Sequence, residues 1–148
     1  GSGAAVLPYD RLRKTVLLVR QFRLPVHLSG RDGDTLEVCA GLLDGNDPET
    51  CAKREAEEEL GYRLTNLRQV AQTFMTPGAV TEELTLFLAN YDRASRVSDG
   101  GGHEAEHEDI EVVEIPFSDL LAMVLGQRII DAKTVMLTLF LERALRRS

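Results

Sequence analysis

The densest group of side chains that could carry out chemistry lies in residues 54–62, REAEEELGY. Residues three or four positions apart share one face of a helix, so Glu55, Glu58 and Glu59 would project together. Two carboxylates 4 Å apart repel each other by about 4 kcal/mol at an effective dielectric constant of 20. A divalent cation such as Mg²⁺ or Mn²⁺ would relieve that repulsion, because hard cations prefer oxygen ligands. Water would relieve it equally if the face is merely solvated.

A second acidic group lies in the long polar segment of residues 93–109, which contains SDGGGHEAEHED. Glu104, Glu106 and Glu108 occupy alternate positions there, behind three glycines. A loop of this length in a compact domain is usually functional or disordered. If functional, it could swing over a bound ligand and exclude bulk water, and a carboxylate held near metal-bound water can act as a general base.

The residues that favour softer metals form no pattern. Cys39 and Cys51 are too few and too irregularly placed for a disulfide framework or a zinc site, so we interpret them as reduced core cysteines of a cytoplasmic protein. His103 and His107 flank the loop glutamates. Because hard metals are expected, we interpret both histidines as solvent-exposed bystanders.

The carboxylates of residues 54–62 need a helix with well-defined ends. Asp47 suits the N-cap, Pro48 the first helical position, and Gly61 the C′ position that requires a positive φ. Arg54 precedes the first glutamate of the group and can orient the carboxylates by charge-assisted hydrogen bonds. These signals predict a helix that presents the acidic face at a fixed place.

Strands are expected on both sides of this helix, at Ala4–Tyr9, Thr15–Arg23, Thr35–Cys39, Gln69–Met75, Leu84–Tyr91 and residues 111–117. The first two form a predicted hairpin. Ser118 is expected to cap a short helix and Asp131 to open a final amphipathic one, while Phe22, Phe74 and Phe87 are assigned to the core. Since the order shows no βαβ regularity, the predicted class is α+β, an α/β/α sandwich on a mixed sheet.

The bulk properties exclude several classes of protein. At 148 residues, with 43% hydrophobic and 28% charged residues, the chain is long enough for a single soluble domain with a real core. A net charge of −7 argues against binding nucleic acid through a basic patch. No apolar run approaches the roughly 20 residues of a membrane span, and no signal peptide opens the chain. We interpret residues 1–2 as a cloning remnant and residues 3–148 as the domain, and we expect the natural N-terminus upstream.

Residues 40–62, AGLLDGNDPETCAKREAEEELGY, resemble the signature of the Nudix hydrolases, G-x5-E-x7-R-E-U-x-E-E-x-G-U. The second half agrees at every defined position, from Arg54 to Tyr62. The first half departs from the pattern: six positions after Gly41 stands Asp47 instead of glutamate, and six residues rather than seven separate it from Arg54. The shortening weakens the case for an auxiliary role of Asp47 and leaves the acidic face unchanged.

Further segments, LLVRQFR, EVCAGLLD, MTPGAVTE, GGGHEAEHEDIEV and IIDAKT, resemble the GDP-mannose hydrolases of that family, which are related to the ADP-ribose pyrophosphatases. The resemblance implies an α/β/α sandwich and Mg²⁺-dependent hydrolysis of GDP-mannose to GMP and mannose 1-phosphate. It also implies a homodimer in which an upstream N-terminal β segment helps to build the partner's site. The alternatives are the same chemistry on ADP-ribose, and a nucleotide-sugar sensor that keeps the fold without catalysis.

The resemblance assigns roles to individual residues. The implied metal ligands offer hard oxygen donors and are the carbonyl of Ala40 and the carboxylates of Glu55, Glu59 and Glu108. The implied catalytic residues are Arg54, Glu58, Glu106 and Glu108. In the resembling enzymes a loop glutamate at the position of Glu106 acts as general base, and one at the position of Glu108 can reach a metal.

The residues expected to bind substrate come from separate segments and are Arg23, Glu37, Pro77, Gly78 and Lys133. The planar guanidinium of Arg23 suits phosphate or ribose oxygens, although it could equally be a surface charge that ends a strand. Glu37 would position either the signature arginine or the substrate. Pro77 and Gly78 belong to a loop resembling the one that shapes the sugar-side pocket. Lys133 would meet the sugar phosphate or be an ordinary first-turn lysine.

Overall fold

The computed structural model describes residues 1–106 and 109–148, with Glu106 described by its backbone alone. The strands are β1 Gly3–Asp10, β2 Thr15–Phe22, β3 Asp34–Glu37, β4 Cys39–Leu42, β5 Thr65–Phe74, β6 Glu83–Asn90 and β7 Glu111–Pro116. The helices are α1 Leu24–Leu28, α2 Pro48–Glu55, α3 Phe117–Leu125 and α4 Ala132–Arg146. Helix α2 continues without a break into a π-helical turn, Ala56–Leu60.

The strands form one mixed sheet in the order β3-β2-β1-β6-β5, with β4 paired to β1 and β7 paired to β2. Strand β1 pairs in parallel with β6 from Gly3 to Tyr9. On its other side β1 pairs with β4 through its first half and with β2 only at Tyr9 and Asp10. Strand β2 pairs with β7 along most of its length, and with β3 beyond Leu18. The short strand β4 therefore lies in a split of the sheet, next to the start of α2.

Successive residues of the central strands pack on opposite faces of the sheet, as the two-residue period of a strand requires. Val6 of β1 and Leu17 of β2 contribute to the core under α2. Leu7 and Leu18, their sequence neighbours, contribute to the core under α3 and α4. Both faces of the sheet are thus covered by helices. The predicted α+β class and the α/β/α sandwich on a mixed sheet are confirmed.

Several local predictions are corrected by the structure. The run predicted as one strand, Thr35–Cys39, is two strands that break at Val38, whose N–H donates to the Thr134 hydroxyl at 2.9 Å. A short helix, α1, has a proline in its first turn and was not predicted; proline is tolerated there because that N–H needs no helical partner. Ser118 does not cap α3, whose N-cap is Pro116. The hairpin of β1 and β2 is confirmed, as is the N-cap role of Asp131 in α4.

The assignment to the core is wrong for two of the three phenylalanines. Phe87 is 4% exposed, but Phe22 is 51% exposed and Phe74 is 48% exposed. Phe22 is the last residue of β2 and Phe74 the last of β5. The alternation of apolar and polar residues along a strand does not reveal where the helices that cover the sheet end. Within the described part of the chain, every helix is too short or too polar to cross a bilayer.

Candidate active site

The glutamate helix begins and ends as the sequence predicts. The Asp47 carboxylate accepts hydrogen bonds from the Thr50 N–H at 3.0 Å and the Thr50 hydroxyl at 2.6 Å. Gly61 ends the helix with φ of +80°. The last turn is π-helical rather than α-helical, and such wide turns recur at functional sites. Glu58 and Glu59 lie in this turn.

The first and last glutamates of the acidic face are largely buried. Glu59 is 4% exposed, and the side chain of Glu55 is 13% exposed. The carboxyl group of Glu55 packs directly on Gly41 of β4, so that a Cβ atom at Gly41 would overlap it. The carboxylate therefore lies against the Ala40–Gly41 backbone, whose oxygens are candidate metal ligands.

Arg54 fixes the Glu55 carboxylate in this position. Its Nη2 donates to Glu55 Oε1 at 2.9 Å and to the Leu42 carbonyl at 3.3 Å. One guanidinium thus joins the helix to β4, which is the orienting contact expected of the signature arginine. The sequence-based suggestion that Glu37 positions Arg54 is not what the structure shows, because Glu37 contacts other cations.

The two cysteines lie beside the acidic face but are not part of its chemistry. Both are free and buried, as predicted. Burial raises the pKa of the Cys39 thiol well above its usual value, and the neighbouring Glu59 and Glu55 carboxylates raise it further. Cys39 therefore stays a neutral thiol, and only a thiolate is a good metal ligand or nucleophile.

The middle glutamate of the face, Glu58, contacts the loop. Its Oε1 lies 3.2 Å from Nε2 of His103, whose side chain is 55% exposed. His103 is thus solvent-exposed, as predicted, and it also contacts a residue predicted to be catalytic. Glu106 ends a short 3-10 helix, Glu104–Glu106. The predictions for the Glu106 side chain, His107 and Glu108 lie outside what the structure describes.

A second charged cluster is centred on Glu37 at the end of β3. Arg23 binds its carboxylate through two hydrogen bonds, Nε to Oε2 at 2.8 Å and Nη2 to Oε1 at 2.9 Å. The Nζ of Lys133 donates to Oε1 at 2.8 Å, and the Thr35 hydroxyl donates to Oε2. Burial alone would raise the pKa of Glu37, but these hydrogen bonds from Arg23, together with the charge and hydrogen bond of Lys133, hold that pKa at about 2. Three residues predicted to bind substrate are thus brought together.

The cations of this cluster stay charged. The hydrogen bonds to Glu37 raise the pKa of Arg23. Burial would lower the pKa of Lys133, but Asp131 and Glu37 outweigh burial and raise it. Strand β3 ends at Glu37, and β4, whose Gly41 packs against the Glu55 carboxylate, begins after one residue at Cys39. The cationic cluster and the acidic face are therefore attached to consecutive strands.

Sequence reasoning missed two residues that hold this cluster in place. Asp131 accepts from Lys133 Nζ at 2.9 Å with Oδ1 and from the Thr134 hydroxyl with Oδ2. The fully buried Thr134 hydroxyl in turn accepts from the N–H of Val38, where β3 gives way to β4. The start of α4 is thereby fixed to the strand that leads into Ala40–Gly41. The Asp-x-x-Thr spacing of a helix N-terminus signals the cap but not this long-range contact.

The remaining predicted substrate residues, Pro77 and Gly78, lie in the exposed turn between β5 and β6. A Cβ atom at Gly78 would meet nothing within 4 Å. The turn is closed by hydrogen bonds from Ala79 and Val80 to the Thr76 carbonyl. Among the described residues, no hydrogen bond or ion pair joins this turn to the carboxylates, so its role stays a prediction.

The donors of the acidic face suit a magnesium ion whose remaining ligands are phosphate oxygens and water. Among residues 1–106 and 109–148, no three His, Cys, Asp or Glu side chains could hold a metal ion together. Mg²⁺ seldom uses such a cage, since it is usually bound by one or two carboxylates plus substrate phosphates and water. Glu55 against the Ala40–Gly41 backbone, with buried Glu59 in the next turn, provides oxygens of that kind.

Comparison with known proteins gives a consistent result. A sequence profile of the NUDIX domain matches residues 1–135. A GDP-mannose pyrophosphatase of Cronobacter sakazakii is 51% identical over 138 residues, which cover 93% of this chain and 71% of that protein. The GDP-mannose pyrophosphatase of Pectobacterium atrosepticum is 49% identical over 138 residues, 93% of this chain and 70% of that protein. That of Escherichia coli O1:K1 / APEC is 45% identical over 143 residues, 96% of this chain and 74% of that protein.

Proposed function

The chain belongs to the Nudix family, and on that premise we propose that it hydrolyses the diphosphate bridge of GDP-mannose in a Mg²⁺-dependent reaction. The products would be GMP and mannose 1-phosphate. The names of the relatives support this choice of substrate, since proteins 45–51% identical over most of the chain are GDP-mannose pyrophosphatases.

One observation carries the proposal: β3, whose last residue Glu37 binds a cationic pair, is followed after one residue by β4, on which the carboxylate face packs. Glu55 and Glu59 would offer oxygens to a cation, and Arg23 and Lys133 would offer N–H groups to phosphate oxygens. A metal-assisted reaction of a diphosphate uses both, because the carboxylates bind the metal ion and the cationic side chains neutralise part of the negative charge of the substrate. The Glu37 carboxylate holds the two cations together and contributes to the raised pKa of each, so both are charged before substrate arrives.

The residues that would hold the magnesium ion, with manganese as a substitute, are Ala40 through its carbonyl, Glu55, Glu59 and, still as a prediction, Glu108. When bound, the cation neutralises the diphosphate and lowers the pKa of coordinated water. The contribution of the protein is to fix the donors. Arg54 holds the Glu55 carboxylate against β4, and the packing of Glu55 on Gly41 leaves it one orientation.

The remaining roles follow the resemblance. Water attacks one phosphorus atom of the bridge, the bond from that phosphorus to the bridging oxygen breaks, and the Glu106 carboxylate accepts the proton that the water loses. The two products, GMP and mannose 1-phosphate, leave as phosphate monoesters. Glu58 supports the loop through His103. Pro77 and Gly78 shape the sugar side of the pocket. The two free cysteines agree with a reducing, cytoplasmic setting, and the active protein is expected to be a homodimer.

A panel of nucleotide sugars tests the proposal. GDP-mannose, ADP-ribose, GDP-glucose and UDP-glucose are incubated with the protein at saturating Mg²⁺, and the products are separated by ion-exchange chromatography. We expect GMP and mannose 1-phosphate in equal amounts, with the highest kcat/KM for GDP-mannose. A preference for ADP-ribose would move the assignment to the related pyrophosphatases. Calorimetric binding of GDP-mannose without any product would replace the enzyme by a sensor.

A further inference from the structure

The C-terminal end of the glutamate helix is capped by a distant part of the chain. The Gly101 N–H donates to the Glu59 carbonyl at 2.8 Å, and the Gly102 N–H donates to the Glu58 carbonyl at 3.0 Å. The last carbonyls of a helix have no partner within the helix and need one from elsewhere. Here the partners come from the glycine-rich loop after β6, and they engage the two residues whose side chains face the site.

The contact is so close that it requires glycine on both sides. Gly100 has φ of +71°, and a Cβ atom on it would lie 2.5 Å from the Glu59 carbonyl oxygen and 2.7 Å from the Leu60 carbonyl carbon. Gly61 has φ of +80°, and a Cβ atom there would overlap the Ser98 carbonyl and approach the Gly100 nitrogen to 2.8 Å. The loop backbone therefore occupies the space that a side chain at Gly61 would need, and the helix backbone occupies the space that a side chain at Gly100 would need.

Two more hydrogen bonds extend the contact towards β6. The Gly61 carbonyl accepts from the Val97 N–H at 2.7 Å and from the Ser98 N–H at 3.2 Å. On the other side, His103 follows Gly102 directly and reaches Glu58. The sequence-based view that the three glycines let the loop swing is thus replaced for the residues up to Gly102, because the N–H groups of Gly101 and Gly102 are held by the helix and that of Gly100 by the Ser98 hydroxyl.

We propose that Gly61 and Gly100–Gly102 form a glycine clamp that holds the end of the glutamate helix, and with it Glu58 and Glu59, in place, and that Gly100 is a positioning residue for the reaction. The inference rests on the proposed function, since it assigns the clamp a role in that reaction. The clamp binds the backbone carbonyls of Glu58 and Glu59, and His103, the residue after it, contacts the Glu58 carboxylate.

The clamp should affect turnover more than substrate binding. Arg23 follows β2 directly, Lys133 lies in α4, and neither of these expected phosphate-binding residues contacts the clamp among the described residues. A shift of the helix end would move Glu58 and Glu59, leave those groups untouched and slow the chemical step. Misplacement of about 1 Å can cost about 100-fold in rate. A loss in kcat without a matching rise in KM is the signature of such an effect.

The experiment compares alanine variants at glycines with the same backbone strain. Gly100→Ala introduces both the strain of a positive φ and the overlap with the Glu59 carbonyl. Gly30→Ala and Gly45→Ala, with φ of +93° and +83°, introduce strain alone, since a Cβ atom there meets nothing within 4 Å. Amide exchange at Gly101 and Gly102 is followed by NMR in the metal-free proteins. kcat and KM for GDP-mannose are measured at saturating Mg²⁺.

We expect slow exchange of both amides in the wild type, and in Gly100→Ala fast exchange with kcat at least about tenfold lower and KM within about twofold. Both control variants should keep the slow exchange and a kcat near that of the wild type. Fast exchange in the wild type, or a kcat of Gly100→Ala equal to that of Gly45→Ala, would overturn the inference. If Gly100→Ala fails to fold, Gly101→Ala places the strain of a positive φ inside the clamp without an overlap, since its Cβ meets only the Ile110 carbonyl at an ordinary 3.6 Å. Its kcat should then be lower than that of Gly45→Ala, which places the same strain outside the clamp, and equal kcat values would overturn the inference.

The two readouts separate this inference from the proposed function. Amide exchange needs neither substrate nor metal. A wild-type protein that protects both amides but hydrolyses no nucleotide sugar would refute the proposed function and the catalytic role of Gly100, and leave the clamp as a helix cap. A protein that hydrolyses GDP-mannose equally well with Gly100→Ala would refute the inference and leave the function intact.

Discussion

Two charged clusters on consecutive strands differ in their balance of charge. Around Glu37 the charges cancel, because Arg23 and Lys133 face two carboxylates, the second being Asp131. On the glutamate helix, the ion pairs of the described residues with Glu55 and Glu58 come from Arg54 and His103. The first cluster is balanced by its own residues. Within the described part of the chain, the second carries an excess of carboxylates over cationic groups.

The difference indicates which cluster needs a ligand. A balanced, mutually hydrogen-bonded cluster holds its members in place and keeps cations charged where a phosphate is to bind. An unbalanced set of buried carboxylates is costly unless a cation joins it. We therefore expect a phosphate to bind at the balanced cluster and the metal ion at the unbalanced one. Variants that change one charge in either cluster test this division.

The largest effect is expected for Glu59→Gln, which removes a carboxylate from the unbalanced cluster. Replacing groups that only support a metal ligand typically costs 10–100-fold, so the loss of a ligand should lower kcat by about 1000-fold at saturating Mg²⁺. The thermal stabilisation that added Mg²⁺ gives the wild type should also be lost, since that stabilisation depends on binding to the folded state.

Glu57→Gln is the matched control on the same helix. Glu57 pairs with Arg63 on the exposed side, at 3.2 Å between Nε and Oε1, and both side chains are largely exposed. Its removal should leave kcat and the response to Mg²⁺ unchanged. Equal losses in the two variants would show that the net charge of the helix matters rather than the position of Glu59.

The second effect concerns stability in acid and the balanced cluster. The pKa of Glu37 falls from its usual 4.5 to about 2 in the folded protein. Because the folded pKa is depressed, the charged form stabilises the fold above pH 4.5, and that stabilisation of about 3 kcal/mol is lost as the pH falls towards 2. Glu37→Gln should abolish this part of the pH dependence. Chemical denaturation at pH 3 and pH 6 measures the free energy of unfolding. An equal change in this free energy between the two pH values in the wild type and in Glu37→Gln would contradict the assignment.

The sequence predicted best the features that are encoded locally. Asp47, Pro48 and Gly61 define the ends of the glutamate helix, and each acts through neighbours a few residues away. The alternation of β1 and β2 predicts the two faces of the sheet for the same reason. The acidic face followed from helical spacing together with the family signature at Arg54 and the residues after it.

The sequence failed where a contact depends on how distant segments meet. Lys133 and Glu37 are 96 residues apart, as are Thr134 and Val38. The register that joins them is set by the tertiary fold, and no local pattern encodes it. The same holds for the glycine clamp. A run of three glycines predicts flexibility, but these glycines instead allow the backbone to approach the helix end.

A third, smaller effect is expected for Lys133→Gln. The side chain of Lys133 is 13% exposed, and its loss removes one of the two cations that would face the phosphates. One charge-assisted contact should be worth about tenfold in KM, with a smaller change in kcat. Lys53→Gln, which breaks only an exposed pair with Glu49, is the control and should leave KM unchanged. If kcat falls and KM stays constant, Lys133 acts on the transition state rather than on substrate binding.

The smallest effect is expected at Asp47, a carboxylate of the same helix that belongs to neither cluster. Its hydrogen bonds go to the N–H and hydroxyl of Thr50, so its function is that of an N-cap. Asp47→Asn keeps a capping side chain and removes the charge, and kcat should stay within about twofold of the wild type. Asp47→Ala should lower the melting temperature at unchanged kcat. A large fall in kcat for Asp47→Asn alone would assign Asp47 the auxiliary role that glutamate has in the family signature, and the acidic face would then extend to the start of the helix.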